Sequence, residues 1–245
     1  MPNHTPTVLL VHGAFAESAS WNGVIERLHA EGVTAVAVAN PLRSLAGDAA
    51  YLRDVIASVD GPVLLAAHSY GGLVISEASA GNDQVLGLVF VSSFAPEPGE
   101  SAFSLSASAP GSTLGDTLET HDLSTGGIEF AIRQDLFHAQ FAADVPDAVA
   151  ALMAATQRPV TEAALRDPAQ AAKPGWTDRP SWHVFGSDDR NIPPAVMRAG
   201  AERAKSRGTT EIPGASHALS VSQPEQVAEI ILAAARALVP ESERV

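Results

Sequence analysis

Short apolar runs alternate with stretches of helical periodicity through most of this 245-residue chain, and that rhythm leaves few folds open. Thr7–Val11 (TVLLV) is wholly apolar and stops at His12-Gly13, as a parallel strand buried on both faces should. Residues 33–39, 62–67 and 85–91 repeat the pattern, and after a long gap so do residues 181–185 and 209–212. Between the runs lie helical stretches. Ser18 or Ser20 can open one that continues to about Glu31, with Trp21, Val24, Ile25 and Leu28 on one face. Residues 47–58 form a second, broken by Asp60-Gly61-Pro62, and others are expected over 70–80, after Pro194 and over 223–238. Strand–helix alternation of this kind predicts an α/β fold, a mostly parallel sheet of about six strands with helices on both faces.

The rhythm stops between Glu97 and Asp178, where Pro/Gly/Ser-rich joints separate helical patches. Ile128, Ile132 and Leu136 share one helix face, and residues 148–156 read as a second helix behind Pro146. We therefore expect a core made of residues 1–96 and 179–245, with residues 97–178 inserted after the fourth strand as a small helical cap. No internal repeat or low-complexity tract interrupts either part.

Composition removes several classes of function. A hydrophobic share of 46% against 18% charged residues belongs to a globular chain with a sizeable core. No apolar run approaches the ~20 residues a membrane helix needs. The start, Met1-Pro2-Asn3-His4-Thr5-Pro6, lacks the basic and apolar regions of a signal peptide, so the expected location is cytoplasmic. Without cysteine there is no disulfide or thiolate chemistry, and a net charge of −13 disfavours nucleic acid as a partner. No metal-ligand spacing, phosphate loop or Gly-x-Gly-x-x-Gly occurs, so neither metal nor cofactor is expected.

In open parallel sheets, sites form at the carboxyl ends of the strands. The residues there are His12 to Phe15, Ser69, Ser92-Ser93, Asp188-Asp189 and His217, a set that holds a nucleophile, an acid and a base. A serine hydroxyl attacks only when a base removes its proton, and the base works best when a carboxylate fixes its tautomer. The chain order Ser69, Asp189, His217 suits that division of labour. Ser69 sits in LLAAHSYGG, a strand running into a helix through a tight turn, where positions two before and two after must be small. Gly71 meets that need, and Ala67 meets it with one methyl.

These elements together resemble the α/β-hydrolase superfamily over nearly the whole chain. Val11-His12-Gly13-Ala14 is similar to its oxyanion loop, His68-Ser69-Tyr70-Gly71-Gly72 to its nucleophile elbow, and residues 186–193 to its acid loop. Gly214-Ala215-Ser216-His217 followed by Gln223-Pro224-Glu225 is similar to its histidine loop and last helix. The details resemble most the small branch of methyl esterases and hydroxynitrile lyases, and bacterial serine esterases like them. The resemblance implies a Ser69–Asp189–His217 triad, with the Ala14 and Tyr70 backbone N–H groups as oxyanion donors. Asp188 is the alternative acid, but the spacing to Gly186 and Pro193 favours Asp189. His12 is expected to order its loop through hydrogen bonds.

The implied reaction is hydrolysis of small-to-medium uncharged esters through an acyl-enzyme. Dehalogenases and epoxide hydrolases of the superfamily carry aspartate at the elbow, which Ser69 argues against. Lyases of the resembled branch carry lysine after the catalytic histidine and threonine after the first-strand histidine. Here those positions hold Ala218 and Gly13. A small-ligand receptor on the same fold remains a second reading. Phe15, Phe103, Phe130, Phe137, His138, Phe141 and Met153 are the candidates to line the substrate pocket.

Overall fold

The computed structural model describes residues 5–239, so Met1 to His4 and the last six residues lie outside it. Strands β1 (Thr7–Val11), β2 (Ala35–Val38), β3 (Val63–Ser69) and β4 (Val85–Ser93) alternate with helices α1 (Asn22–Ala30), α2 (Leu45–Ala57) and α3 (Gly71–Ala78). The inserted segment holds α4 (Ala102–Ser106), β5 (Leu118–Asp122), β6 (Ile128–Ile132), α5 (Gln134–Phe141), α6 (Asp147–Thr156), β7 (Val160–Thr161) and α7 (Glu162–Arg166). The alternation resumes with β8 (Ser181–Gly186), α8 (Pro194–Arg203), β9 (Gly208–Ile212), α9 (Leu219–Ser222) and α10 (Pro224–Leu238).

Six strands form one parallel sheet in the order β2-β1-β3-β4-β8-β9, as the apolar runs require. Side-chain alternation along each strand divides the interior into two cores. Leu9, Val11, Leu65 and Ala67 face α2, α3 and α8 on one side. Val8, Leu10, Leu64 and Ala66 face α1 and α10 on the other, with Trp21, Val24, Leu28, Val227 and Ile231 packed against them. The chain steps outward from β1 to β2, then crosses to β3 on the opposite side of β1. The loops after β1 and β3 therefore diverge and leave a crevice between them, the position where open α/β sheets bind ligands.

Two local readings are corrected. Ser18 and Ser20 do not cap α1. They lie in a 3₁₀ turn, where the Ser20 hydroxyl donates to the Glu17 carbonyl at 2.7 Å, and α1 starts at Asn22. Ile128 and Ile132 belong to a strand, not to a helix face shared with Leu136. β5, β6 and β7 form a three-stranded antiparallel sheet inside the otherwise helical insertion. The reason is Gly126-Gly127, both at positive φ (92° and 82°), which turns the chain so that β6 pairs back on β5. Among the described residues, no helix is long and apolar enough to cross a membrane.

Candidate active site

β3 delivers Ser69 to the crevice with φ of 53°, a left-handed conformation that costs a non-glycine residue roughly 1–3 kcal/mol. The turn is held by close packing. A Cβ on Gly13 would lie 2.6 Å from the Ser69 Cβ and 2.7 Å from the His68 carbonyl oxygen. One on Gly71 would lie 2.8 Å from the Val11 carbonyl oxygen and 3.3 Å from the Ala67 Cβ. Gly72 is equally confined, with Ser93 Oγ and the Phe94 carbonyl oxygen each 2.3 Å from where its Cβ would stand.

The loop after β8 carries Asp188 and Asp189, and the structure separates them. Asp188 is exposed and accepts a hydrogen bond from the Ser187 hydroxyl at 2.8 Å. Asp189 is buried, and its Oδ2 lies 2.6 Å from Nδ1 of His217. Its other oxygen, Oδ1, accepts the N–H groups of Asn191 (2.8 Å) and Ile192 (2.9 Å). Both side chains of the pair are fully enclosed, at 0% exposure. His217 Nε2 makes no hydrogen bond among the described residues, which leaves its lone pair available on the side opposite Asp189.

His217 is held from two directions. His68, just before Ser69, donates through Nε2 to the His217 carbonyl at 2.9 Å and stands 4.5 Å from the ring. Burial keeps the His68 ring well below the usual histidine range, with the neighbouring His217 acting in the same sense, so His68 is neutral. From the insertion, Phe141 sets its ring edge-on to the His217 imidazole at 4.9 Å, and its carbonyl accepts the Ala218 N–H at 2.9 Å.

Tyr70, the residue after Ser69, is anchored by a contact the sequence did not reveal. Its hydroxyl donates to Oδ2 of buried Asp48, in α2, at 2.8 Å. Burial raises the Asp48 carboxyl, and it also pushes the Tyr70 hydroxyl well above its usual range, with Asp48 adding to the rise. Asp48 was hidden because 22 residues separate it from Tyr70 and nothing in the helical pattern marks it.

A cavity of about 330 Å³ opens above Ser69. Ala14, Phe15, Tyr70, Phe103 and Phe130 line it, as do Phe94, Leu114, Leu118, Leu165 and Ile192. Of the residues expected there, Phe137, His138, Phe141 and Met153 are not part of the wall. Phe137 and Phe141 share the buried face of α5 and stack on each other at 4.9 Å. His138 donates through Nε2 to the Val145 carbonyl at 2.8 Å, and Met153 packs on the core. The wall residues the sequence reading missed fall in two groups. Phe94 follows a strand end and was accessible to the strand-end rule, whereas Leu118 needed the β5–β6 hairpin. The one charged wall residue, Arg166, lays its guanidinium over the Phe103 ring at 4.0 Å and pairs with Glu162 at 2.8 Å.

The sequence matches the model of the alpha/beta hydrolase family over residues 8–230. No curated protein is significantly similar to it by sequence. Among solved structures, polyneuridine aldehyde esterase superposes with a TM-score of 0.79 at 19% identity, covering 94% of this chain and 99% of its own. A pyrethroid hydrolase from Sphingobium faniae JZ-2 gives 0.74 at 20%, covering 98% and 99%. A methylesterase from Arabidopsis gives 0.78 at 15%, covering 94% and 98%. At such identities these likenesses establish a shared fold.

Proposed function

This chain belongs to the alpha/beta hydrolase family, and from that premise we propose that it is a serine esterase that cleaves small, uncharged carboxylic esters through an acyl-enzyme. The observation that carries the reading is the enclosed Asp189–His217 pair, 2.6 Å apart, packed on His68, the residue before a strained serine that lines an apolar cavity. Asp189 accepts the Nδ1 proton, so His217 Nε2 is the free base. Nε2 takes the Ser69 proton as Oγ attacks the ester carbonyl, then returns it to the departing alcohol. Water repeats the sequence on the acyl-enzyme. The N–H groups of Ala14 and Tyr70, two residues of the cavity wall, receive the oxyanion, and such donors are typically worth about 3–4 kcal/mol each.

The wall supports the substrate class. Its aromatic and aliphatic residues favour apolar groups, and the Arg166 charge is already matched by Glu162. The tight contact between Gly13 and Ser69 supports the esterase reading over a lyase, since a threonine at position 13 has no room. Purified protein should turn over short-chain p-nitrophenyl esters, and a fluorophosphonate should label Ser69. Stoichiometric ligand binding with no turnover across an ester panel would refute the esterase in favour of a receptor.

A further inference from the structure

A peptide group has two ends, and the two peptides assigned to the oxyanion have their far ends occupied in the same way. The Ala14 N–H belongs to the peptide whose carbonyl is that of Gly13, and His12 Nδ1 lies 2.9 Å from that oxygen. The Tyr70 N–H belongs to the peptide whose carbonyl is that of Ser69, and Ser93 Oγ donates to that oxygen at 2.6 Å. We propose that His12 and Ser93 are positioning residues that grip the two oxyanion peptides from behind, orienting their N–H groups and strengthening them as donors. This inference rests on the serine esterase reading given above.

The proton positions follow from the surroundings. The Asn40 backbone N–H donates to His12 Nε2 at 3.1 Å, so Nε2 is the acceptor and Nδ1 carries the hydrogen. Asn40 also donates through Nδ2 to the His12 carbonyl at 3.0 Å, which locks residue and ring together. Burial lowers the His12 pKa to about 4, which keeps the ring neutral, and the Asn40 N–H sets its tautomer. Ser93 reaches the Ser69 carbonyl because the β3–β4 register slips between His68 and Ser69, so that Ser69 stands opposite Ser93. Gly72 supplies the room, since a side chain there would displace the Ser93 hydroxyl. Burial alone does not dictate the contact: the hydroxyl of adjacent Ser92, equally buried, has no partner among the described residues.

The physical effect is electronic as well as geometric. A hydrogen bond accepted by a carbonyl draws electron density from the attached nitrogen, and linked hydrogen bonds strengthen one another by about 10–30%. Neither the Ala14 nor the Tyr70 N–H is taken up by the turn, loop and cap hydrogen bonds among the described residues. Both remain free for an incoming charge. The loop hydrogen bonds of His12 therefore reach the reacting atoms through one peptide, and those of Ser93 through another.

The test combines kinetics with a spectroscopic readout that does not depend on turnover. A donor is worth about two to three decades of rate, so losing about 10–30% of that predicts a roughly 2- to 8-fold fall in kcat for Ser93→Ala, with KM unchanged. The Ki of a trifluoromethyl ketone, which mimics the oxyanion, should rise by the same factor. In NMR spectra, the Ser69 carbonyl carbon and Tyr70 amide nitrogen should move to lower frequency in Ser93→Ala, while Gly13 and Ala14 stay in place. His12→Phe should do the converse. The wild-type spectrum is a test by itself, because both carbonyl carbons should resonate at the high-frequency side of the loop carbonyls. Unchanged kcat and unchanged Ser69 and Tyr70 shifts in a folded Ser93→Ala protein would overturn the inference alone. A wild-type protein that neither hydrolyses esters nor reacts with fluorophosphonate would overturn the esterase reading, and this inference with it.

Discussion

Replacing Asp189 by Asn tests the assignment of the acid through a single proton. Asp189 Oδ1 accepts two backbone N–H groups, from Asn191 and Ile192 at 2.8 and 2.9 Å. In Asp189→Asn the amide oxygen must keep that position, because an NH₂ there would face two donors. The amide NH₂ is then turned toward His217 Nδ1, where the carboxylate oxygen now sits at 2.6 Å. A donor facing Nδ1 makes that nitrogen the acceptor and drives the ring proton to Nε2. In the proposed mechanism Nε2 takes the Ser69 proton, so the variant is held in the unreactive tautomer. The expected fall in kcat is about 10⁴-fold, or about 5.5 kcal/mol, with KM little changed. Asp188→Asn is the control, since the Asp188 side chain is exposed and accepts a hydrogen bond from its neighbour Ser187. The assay is p-nitrophenyl ester turnover, paired with ¹⁵N spectra of the His217 ring to locate its proton and a thermal melt to show the fold intact. A loss below tenfold in folded Asp189→Asn, or a larger loss in Asp188→Asn, would refute the tautomer argument.

Two further expectations concern the sheet and its crevice. His183 is buried, stacks on Phe90 at 4.6 Å, and neither ring nitrogen has a partner among the described residues. Burial pushes its pKa from 6.5 to about 3, so below pH 6.5 the unfolded chain binds a proton that the folded chain refuses. Stability therefore falls with pH, by about 2 kcal/mol at pH 5 from this group, and denaturant titrations of His183→Phe should show that much less loss between pH 7 and 5. Equal pH slopes in the two proteins would contradict the assignment. In Gly13→Ala the new methyl meets the Ser69 Cβ at 2.6 Å and backbone at 2.7 Å, so the loop after β1 and Ser69, the proposed nucleophile, must separate. A misplacement of ~1 Å predicts a loss of about 10²-fold in kcat/KM, and a variant that is folded and fully active would show that the crevice has slack.

The sheet was legible because its signal is local: a short, β-branched and largely apolar run such as Thr7–Val11, stopped by Gly13, suits a strand covered on both faces. The inserted segment was less so. Ile128, Phe130 and Ile132 recur at a spacing of two, yet Ile128 and Ile132 also satisfy a helix, and only Gly126-Gly127 breaks the tie. Misreading that hairpin hid Leu118 from the cavity wall and credited Phe137 to it, because the cavity is closed by elements that meet only in three dimensions. The same limit hid Asp48 beneath Tyr70, and it hid the contact with Ser69 made by Ser93, a residue legible only as a strand end. Each is an unremarkable residue in its own helix or strand, and its contact depends on the register of a distant neighbour.

The elbow shows why a departure from a motif can leave its geometry intact. Most turns of this kind carry glycine two residues before the nucleophile, and here Ala67 stands there. Its methyl lies 3.3 Å from where a Cβ on Gly71 would be, while the other limit on Gly71 is the Val11 carbonyl at 2.8 Å. The constraint thus falls on the pair of positions flanking Ser69 and on the β1 backbone behind them, and not on either residue alone. One methyl fits because the facing position is bare, and the β1–β3 register, with Val11 opposite Ala67, fixes which backbone it must clear. Smallness summed across the turn is the physical requirement, and Gly13, Gly71 and Gly72 supply what Ala67 does not. That leaves Ser69 free to hold its left-handed conformation, which aims the hydroxyl into the crevice and turns the Ser69 carbonyl back toward Ser93.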